Sequence, residues 1–356
     1  MTSEITPKKS KKHFIVLDGL RGVAALAVVI FHFMEWIYTD FTLNFIGHGF
    51  LAVDFFFCLS GFVIAYAYDD RIADIGILKF FKSRIIRLHP LVIFGSVLGL
   101  LLFFLDPFDA SEVTYSFLEM GLIFLCSLLL IPYPVMGERG FNNFGLNAPS
   151  WSLFWEYIAN IAYALFLNKL KKPVLIVLTI IAAGFLSYVA YNAGNLMGGW
   201  SKDNFWDGFA RISYSFLAGI LIYRCNWIIK NNLGFIGLSL LIAGAFLMPY
   251  FSFNWLYELL CVLIYFPLLI MLGAGTIEPV KTKRLCVFSG KISYPLYMTH
   301  YAGIWVFGNY LIAKNPSKGE LTFIVIGGTI LFLIVAYFVM TYFDEPVRKY
   351  LKRRFR

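Results

Sequence analysis

Residues 14–36 read FIVLDGLRGVAALAVVIFHFMEW, an apolar run interrupted only by Asp18, Arg21, His32 and Glu35. About 20 helical residues cross the hydrocarbon core of a bilayer, so this stretch has the length of a transmembrane helix. Lys8 to Lys12 precede it, as basic residues precede the core of a secretory leader. The run is longer than a leader's core, carries Arg21 and His32, and has no small-residue cleavage site. It is read as the first membrane helix.

Working outward, the same pattern recurs. Apolar runs fall near 45–68, 89–105, 115–131, 150–168, 173–191, 207–224, 232–251, 254–273, 290–312 and 320–342. The chain of 356 residues is 60% hydrophobic and only 14% charged, against about a quarter charged in soluble domains. The runs do not alternate in polarity, which excludes a barrel and leaves an all-α, polytopic helix bundle. The net charge of +9 does not point to nucleic acid, because the basic residues cluster between apolar runs. The clusters are Lys8–Lys12, Lys79–Arg87, Lys169–Lys172, Lys281–Lys291 and Arg348–Arg356, the positive-inside pattern. Five scattered cysteines lack metal-ligand spacing and read as buried thiols, so no metal is expected.

Eleven runs conflict with two cytoplasmic termini, which require an even number of crossings. Reading inward from both ends, the conflict falls between residues 89 and 149. The expectation is ten crossings plus one re-entrant or interfacial segment, with 89–105 and 115–131 as the suspects and 132–149 as a possible irregular passage. Basic tails at 1–12 and 346–356 would flank a transmembrane domain over 13–345, and no loop is long enough for a soluble domain.

Ionisable side chains within membrane segments cost roughly 2.5–3.5 kcal/mol each on insertion scales and are functional candidates. Arg21 and His32 are eleven positions apart, which leaves both on one helix face, about 16 Å apart along the axis. A snorkelling arginine and a hydrogen-bonded histidine are the plain alternative; the shared stripe favours function. Arg84 and Arg87, spaced i,i+3, share a helical face from which two guanidiniums could clamp a phosphate, while simple inside-loop charge is the plainer reading of such a pair taken alone. Asp54 and Glu156 sit in apolar surroundings and need partners. Counted depth puts both in the same half of the bilayer as His32, so either could orient that imidazole as a general base. His300 lies near mid-membrane with Tyr297 one turn before it. Ser150 follows Asn147-Ala148-Pro149 and is expected to cap the helix it begins.

The segments LDGLRGVAALAVVIFHF, GFLAVDFFFCLSGFVIA, FFKSRIIRLHP, APSWSLFWEY and ISYPLYMTH resemble, in this order, the acyltransferase type 3 family. That family's R-x10-H signature falls on Arg21 and His32, its RxxR on Arg84 and Arg87, and its S-x5-E pattern on Ser150 and Glu156. The resemblance implies a membrane enzyme of the bacterial inner membrane that transfers acyl groups, acetyl by the family's habit, from acyl-CoA to a carbohydrate hydroxyl. Acyl-CoA would enter from the cytoplasm, its phosphates neutralised by Arg84, Arg87 and Arg21. His32 would deprotonate the acceptor or carry the acyl group itself, with Glu156 or Asp54 holding its tautomer. Ser150, Trp151, Tyr297 and His300 are the candidate substrate-binding residues. The SGNH hydrolase-like extension of some members is not expected, the chain ending at Arg356.

Two rival classes remain at this level. A glycan transporter would also place charges in a membrane cavity, but with internal repeats or paired broken helices, and neither is visible in the sequence. A non-catalytic envelope scaffold would tolerate loss of Arg21, His32 and the Arg84/Arg87 pair.

Overall fold

In the computed structural model, residues 13–110 and 113–355 are described; the Lys8–Lys12 cluster and the rest of the segment 1–12 lie outside them. Every element among the described residues is helical. In order they are α1 (Ile15–Ile37), α2 (Ala52–Tyr68), α3 (Ile72–Ile75), α4 (Ile77–Leu105), α5 (Phe117–Leu129), α6 (Ser150–Leu165) and α7 (Lys172–Ala193). There follow α8 (Phe205–Arg224), α9 (Gly234–Phe246), α10 (Asn254–Leu260), α11 (Phe266–Gly275), α12 (Val280–Lys314), α13 (Lys318–Val339) and α14 (Glu345–Arg354). A π-helical turn, Cys261–Tyr265, joins α10 to α11, and another, Met340–Asp344, joins α13 to α14. Among the described residues, six helical stretches are long and apolar enough to cross a bilayer: 15–37, 49–68, 77–105, 172–193, 254–275 and 318–354.

The helix ends collect at two opposite ends of the bundle. At one, Arg224 donates to Asp69 (2.6 Å) and to the carbonyls of Leu167, Asn168 and Leu170, and the Tyr163 hydroxyl donates to Asp69. Tyr68 bonds Ser83 there (2.7 Å), and Lys291 pairs with Glu345 (3.0 Å). The basic stretches around Lys82, Lys169, Arg224, Lys291 and Arg348 thus share this basic end. At the other, His48 bonds the Met248 carbonyl (2.7 Å) and the Asn254 side chain (2.8 Å), and Asn143 N–H donates to the Trp200 carbonyl (2.8 Å).

Two basic clusters expected in loops are helical instead. Lys79–Arg87 forms the first turns of α4, and Lys281–Lys291 those of α12. Long basic side chains extend such helices past the apolar zone, with the charged heads in water. Residues 346–354, expected within a tail, are likewise helical, as part of α14. Of the two suspect runs, 89–105 gains length through residues 77–88. The run 115–131 yields α5, 13 residues or about 20 Å, short of a core of about 30 Å. Its end meets the middle of α4, where Ser127 bonds Ser96 (2.8 Å). The chain then returns irregularly through 131–149, the Leu146 carbonyl packing against Gly99 of α4.

Close helix contacts fix the central geometry. A Cβ on Gly22 of α1 would stand 2.2 Å from the Ser289 carbonyl of α12, and one on Gly219 of α8 would stand 2.0 Å from the Cys58 carbonyl of α2. Small residues at such points let backbones touch, the usual device where no hydrophobic force drives association in lipid. The α1–α12 contact brings the Arg21/His32 face against the helix bearing Tyr297 and His300. The five cysteines are free; Cys58, Cys261 and Cys286 are buried, Cys126 and Cys225 half-buried.

Candidate functional site

A cavity of about 620 Å³ opens at the basic end. α2 lines it from Val53 to Tyr68, a distance of about 22 Å along the helix. Arg21, Arg84, Arg87, Lys291, Arg348 and Lys352 contribute six cations against the carboxylates of Asp18, Glu156 and Asp344. Farther in, the wall is aromatic and apolar, with Val53, Phe56, Phe57, Leu153 and Tyr297. A polyanion with a long neutral arm matches that gradient, charge for charge at the mouth and apolar contact inside.

Within the cavity, two residues expected to act apart are joined. Arg84 Nη2 donates to Glu156 Oε1 (2.8 Å), and the Ser60 hydroxyl donates to the same oxygen (2.8 Å). Glu156 therefore does not orient His32. The reason is local: α4 and α6 meet here, and a buried guanidinium demands a carboxylate. Arg84 is buried, so this pair builds the wall. Arg87 faces the cavity with no carboxylate at ion-pair distance among the described residues, while Arg21 is held by Asp18 (3.5 Å).

His32 lies beyond the inner end of this cavity, outside its lining. Its Nδ1 stands 2.5 Å from Glu35 Oε1, one turn later on α1. With the Glu35 oxygen as acceptor, Nδ1–H is assigned as the donor, the tautomer in which the neutral imidazole keeps Nε2 as an acceptor. The Tyr301 hydroxyl also donates to Glu35 (3.5 Å). The His32 ring stacks on His300 (5.4 Å between centroids) and meets Tyr301 edge-on (4.6 Å). His300 is fully buried; its Nδ1–H donates to the Leu296 carbonyl (3.1 Å), and its Nε2 has no protein partner. Tyr297, 6.1 Å from the His300 ring, bonds Ser152 (2.8 Å) where the cavity ends. Tyr297 and His300 thus form a thin layer between the cavity and His32.

Asp54 belongs elsewhere. It forms a fully buried ion pair with Arg211 of α8, Nη2 to Oδ2 at 2.6 Å and Nε to Oδ1 at 3.1 Å. Arg211 also donates to the carbonyls of Gly198 and Phe50. Trp151 lies over the same guanidinium (5.2 Å), as a packing partner rather than a wall of the cavity. Ser150 caps nothing: Pro149 holds the N-cap position, and the Ser150 hydroxyl is buried without a hydrogen-bond partner.

Sequence reasoning passed over Glu35 and Arg211. Both sit inside apolar runs, so the cost of membrane charges flags them as surely as Asp54. Among the described residues, no group of three or more His, Cys, Asp or Glu side chains is arranged to hold a metal ion.

A family model described as an acyltransferase domain matches residues 14–343. Protein 2 in the picA locus of Rhizobium radiobacter is 35% identical over 162 residues, 43% of this chain and 82% of that protein. A protein of Staphylococcus aureus (strain COL) named as an O-acetyltransferase is 26% identical over 382 aligned residues, 98% of this chain and 59% of that protein. Acyltransferase MdmB of Streptomyces mycarofaciens is 29% identical over 164 residues, 44% of this chain and 40% of its own length. The chain thus spans little more than half the length of the staphylococcal relative. No solved structure matches it. With residues 14–343, nearly its whole length, matched by that model, the chain belongs to the acyltransferase type 3 family.

Proposed function

We propose that the protein transfers an acyl group, acetyl in the first instance, from acyl-CoA to a hydroxyl of an exported or surface carbohydrate. The observation that carries this reading is the polarity of the site. A cation-rich cavity leads from the basic end toward a histidine hydrogen-bonded to a carboxylate. The donor's phosphates sit among Arg21, Arg87 and the Arg84–Glu156 wall, and its neutral arm runs along α2 toward Tyr297. His32 Nε2 takes the proton of the acceptor hydroxyl as its oxygen attacks the thioester carbonyl. The carbon–sulfur bond then breaks, and the imidazolium returns its proton to the leaving thiolate. Glu35 holds the tautomer and offsets the transient charge. For the thioester to reach His32, the Tyr297–His300 layer has to move aside.

The basic end is the cytoplasmic side of a bacterial inner membrane, with both termini there. On this reading the chain makes ten passages between the two ends, α10 with α11 counted as one and α13 with its π turn as another. α9 is as short as α5, but it joins loops at opposite ends. α5 and the segment 131–149 form the re-entrant piece.

Glu35→Gln is expected to lower kcat about 100-fold, as loss of orientation does, with the KM for acyl-CoA unchanged and with partial rescue by Glu35→Asp. Steady-state kinetics on purified protein reads this split. Arg87→Ala is expected to raise the KM for acyl-CoA by about tenfold or more, since hydrogen bonds to charged groups contribute about 1.5–3 kcal/mol, and to leave kcat nearly unchanged. Mass spectrometry of surface glycans with and without the gene tests the reaction class; identical acylation in both would refute it.

A further inference from the structure

Arg348 and Lys352 line the same cavity, and the donor reading above gives them no task. Both are on α14, one turn apart and so on one face. The π turn Met340–Asp344 precedes this helix; such turns shift helical register and are frequent at functional sites. Here the turn sets Asp344, 1% exposed, into the cavity wall, where Arg348 Nη2 pairs with its Oδ2 at 2.6 Å. Asp344 Oδ1 and Arg348 Nε are buried without hydrogen-bond partners. A second hollow of about 470 Å³ is lined by Glu345, Arg348, Lys349, Lys352 and Arg353. It shares Arg348 and Lys352 with the main cavity. The recess therefore continues along α14, where four cations face one carboxylate, and that carboxylate is engaged by Lys291. Lys82 over the Phe355 ring (4.9 Å) ties the end of α14 to α4.

We infer that Arg348 and Lys352 of α14 form a separate subsite for a terminal phosphomonoester, the 3′-phosphate of the donor's nucleotide. The inference rests on the acyl-CoA reading. Coenzyme A carries two phosphate groupings separated by its ribose: a diphosphate and a 3′-monoester of nearly two charges at neutral pH. Two anionic groups set apart by a ribose call for cations at two places. Arg21 and Arg87 stand where the arm enters the bundle, and α14 extends the positive surface outward from them. Asp344 holds the Arg348 guanidinium in place, leaving its free edge for a forked contact with phosphate.

Anionic lipid headgroups present the same phosphate chemistry at a membrane surface. The test therefore compares coenzyme A with 3′-dephospho-coenzyme A, binding to the full-length protein in vesicles of phosphatidylcholine and of phosphatidylglycerol. The wild type is expected to bind coenzyme A about tenfold or more tightly than the dephospho form. Lys352→Gln and Arg348→Gln are expected to abolish that preference, leaving the dephospho Kd unchanged. Should Arg348→Gln fail to fold beside Asp344, Lys352→Gln alone carries the comparison. Variants that weaken both ligands equally, or only in phosphatidylglycerol vesicles, overturn the subsite in favour of a structural or lipid-binding helix. Equal binding of both ligands by the wild type also overturns it and leaves the donor reading standing. Binding of neither ligand overturns the donor reading itself.

Discussion

His32→Ala is expected to lower the rate of acyl transfer by about 10²–10⁴-fold, the contribution of a well-placed general base, while the protein still inserts and purifies normally. The chemistry needs one group able to take a proton from a hydroxyl and return it to a thiolate. His32 has the required arrangement: Nδ1 engaged by Glu35 and Nε2 left to accept. His300 is a weaker candidate, because it is fully buried. The His32 ring is half-buried in a ring cluster, so truncation removes little core packing. The effect should fall on kcat, with donor binding at the far cations intact. Wild-type kcat in His32→Ala would remove His32 from the mechanism, and lost expression would make it structural.

The second large effect falls on folding. Arg211→Ala leaves the Asp54 carboxylate uncompensated at a site with no exposure, at a cost of about 3–5 kcal/mol. That is a large part of the stability of most domains. Asp54→Ala should behave alike, from the opposite charge. Replacing both together, Asp54→Leu with Arg211→Met, removes the buried charges as a pair and should recover folded protein. Thermal unfolding and yield in detergent read the stability, and transfer activity reads the role. If the double variant folds but is inactive, Asp54 acts in catalysis, as its depth in the sequence first suggested; recovered activity makes the pair structural.

Arg21, His32, Asp54, Arg84 and Glu156 stand out in the sequence because charge in a membrane run is costly, and that cost is local. Which charge meets which is not local. The pairings Arg84–Glu156 and Asp54–Arg211 join residues 72 and 157 positions apart, through helix contacts that no periodicity encodes. Depth counting put Glu156 level with His32, but the Arg84 side chain reaches it from α4. Glu35 was within reach of sequence reasoning, since i,i+3 neighbours on a helix always face one another. The parity conflict between residues 89 and 149 was legible too, and the region holds a short helix followed by irregular chain. The helical form of the basic stretches was less legible, because positive charge marks a side of the membrane and not a backbone conformation. The role of α14 was hidden for the same reason: a basic tail and a basic subsite have one composition.

The most direct test uses the purified full-length protein in sealed vesicles, given acetyl-CoA labelled in its acetyl group and a polysaccharide acceptor. Label should appear as an ester on the carbohydrate, released by mild base, with one free coenzyme A thiol formed per ester and none with His32→Ala. Unlabelled carbohydrate beside intact acetyl-CoA, or carbohydrate carried across the vesicle membrane without modification, would contradict an acyltransferase acting through His32.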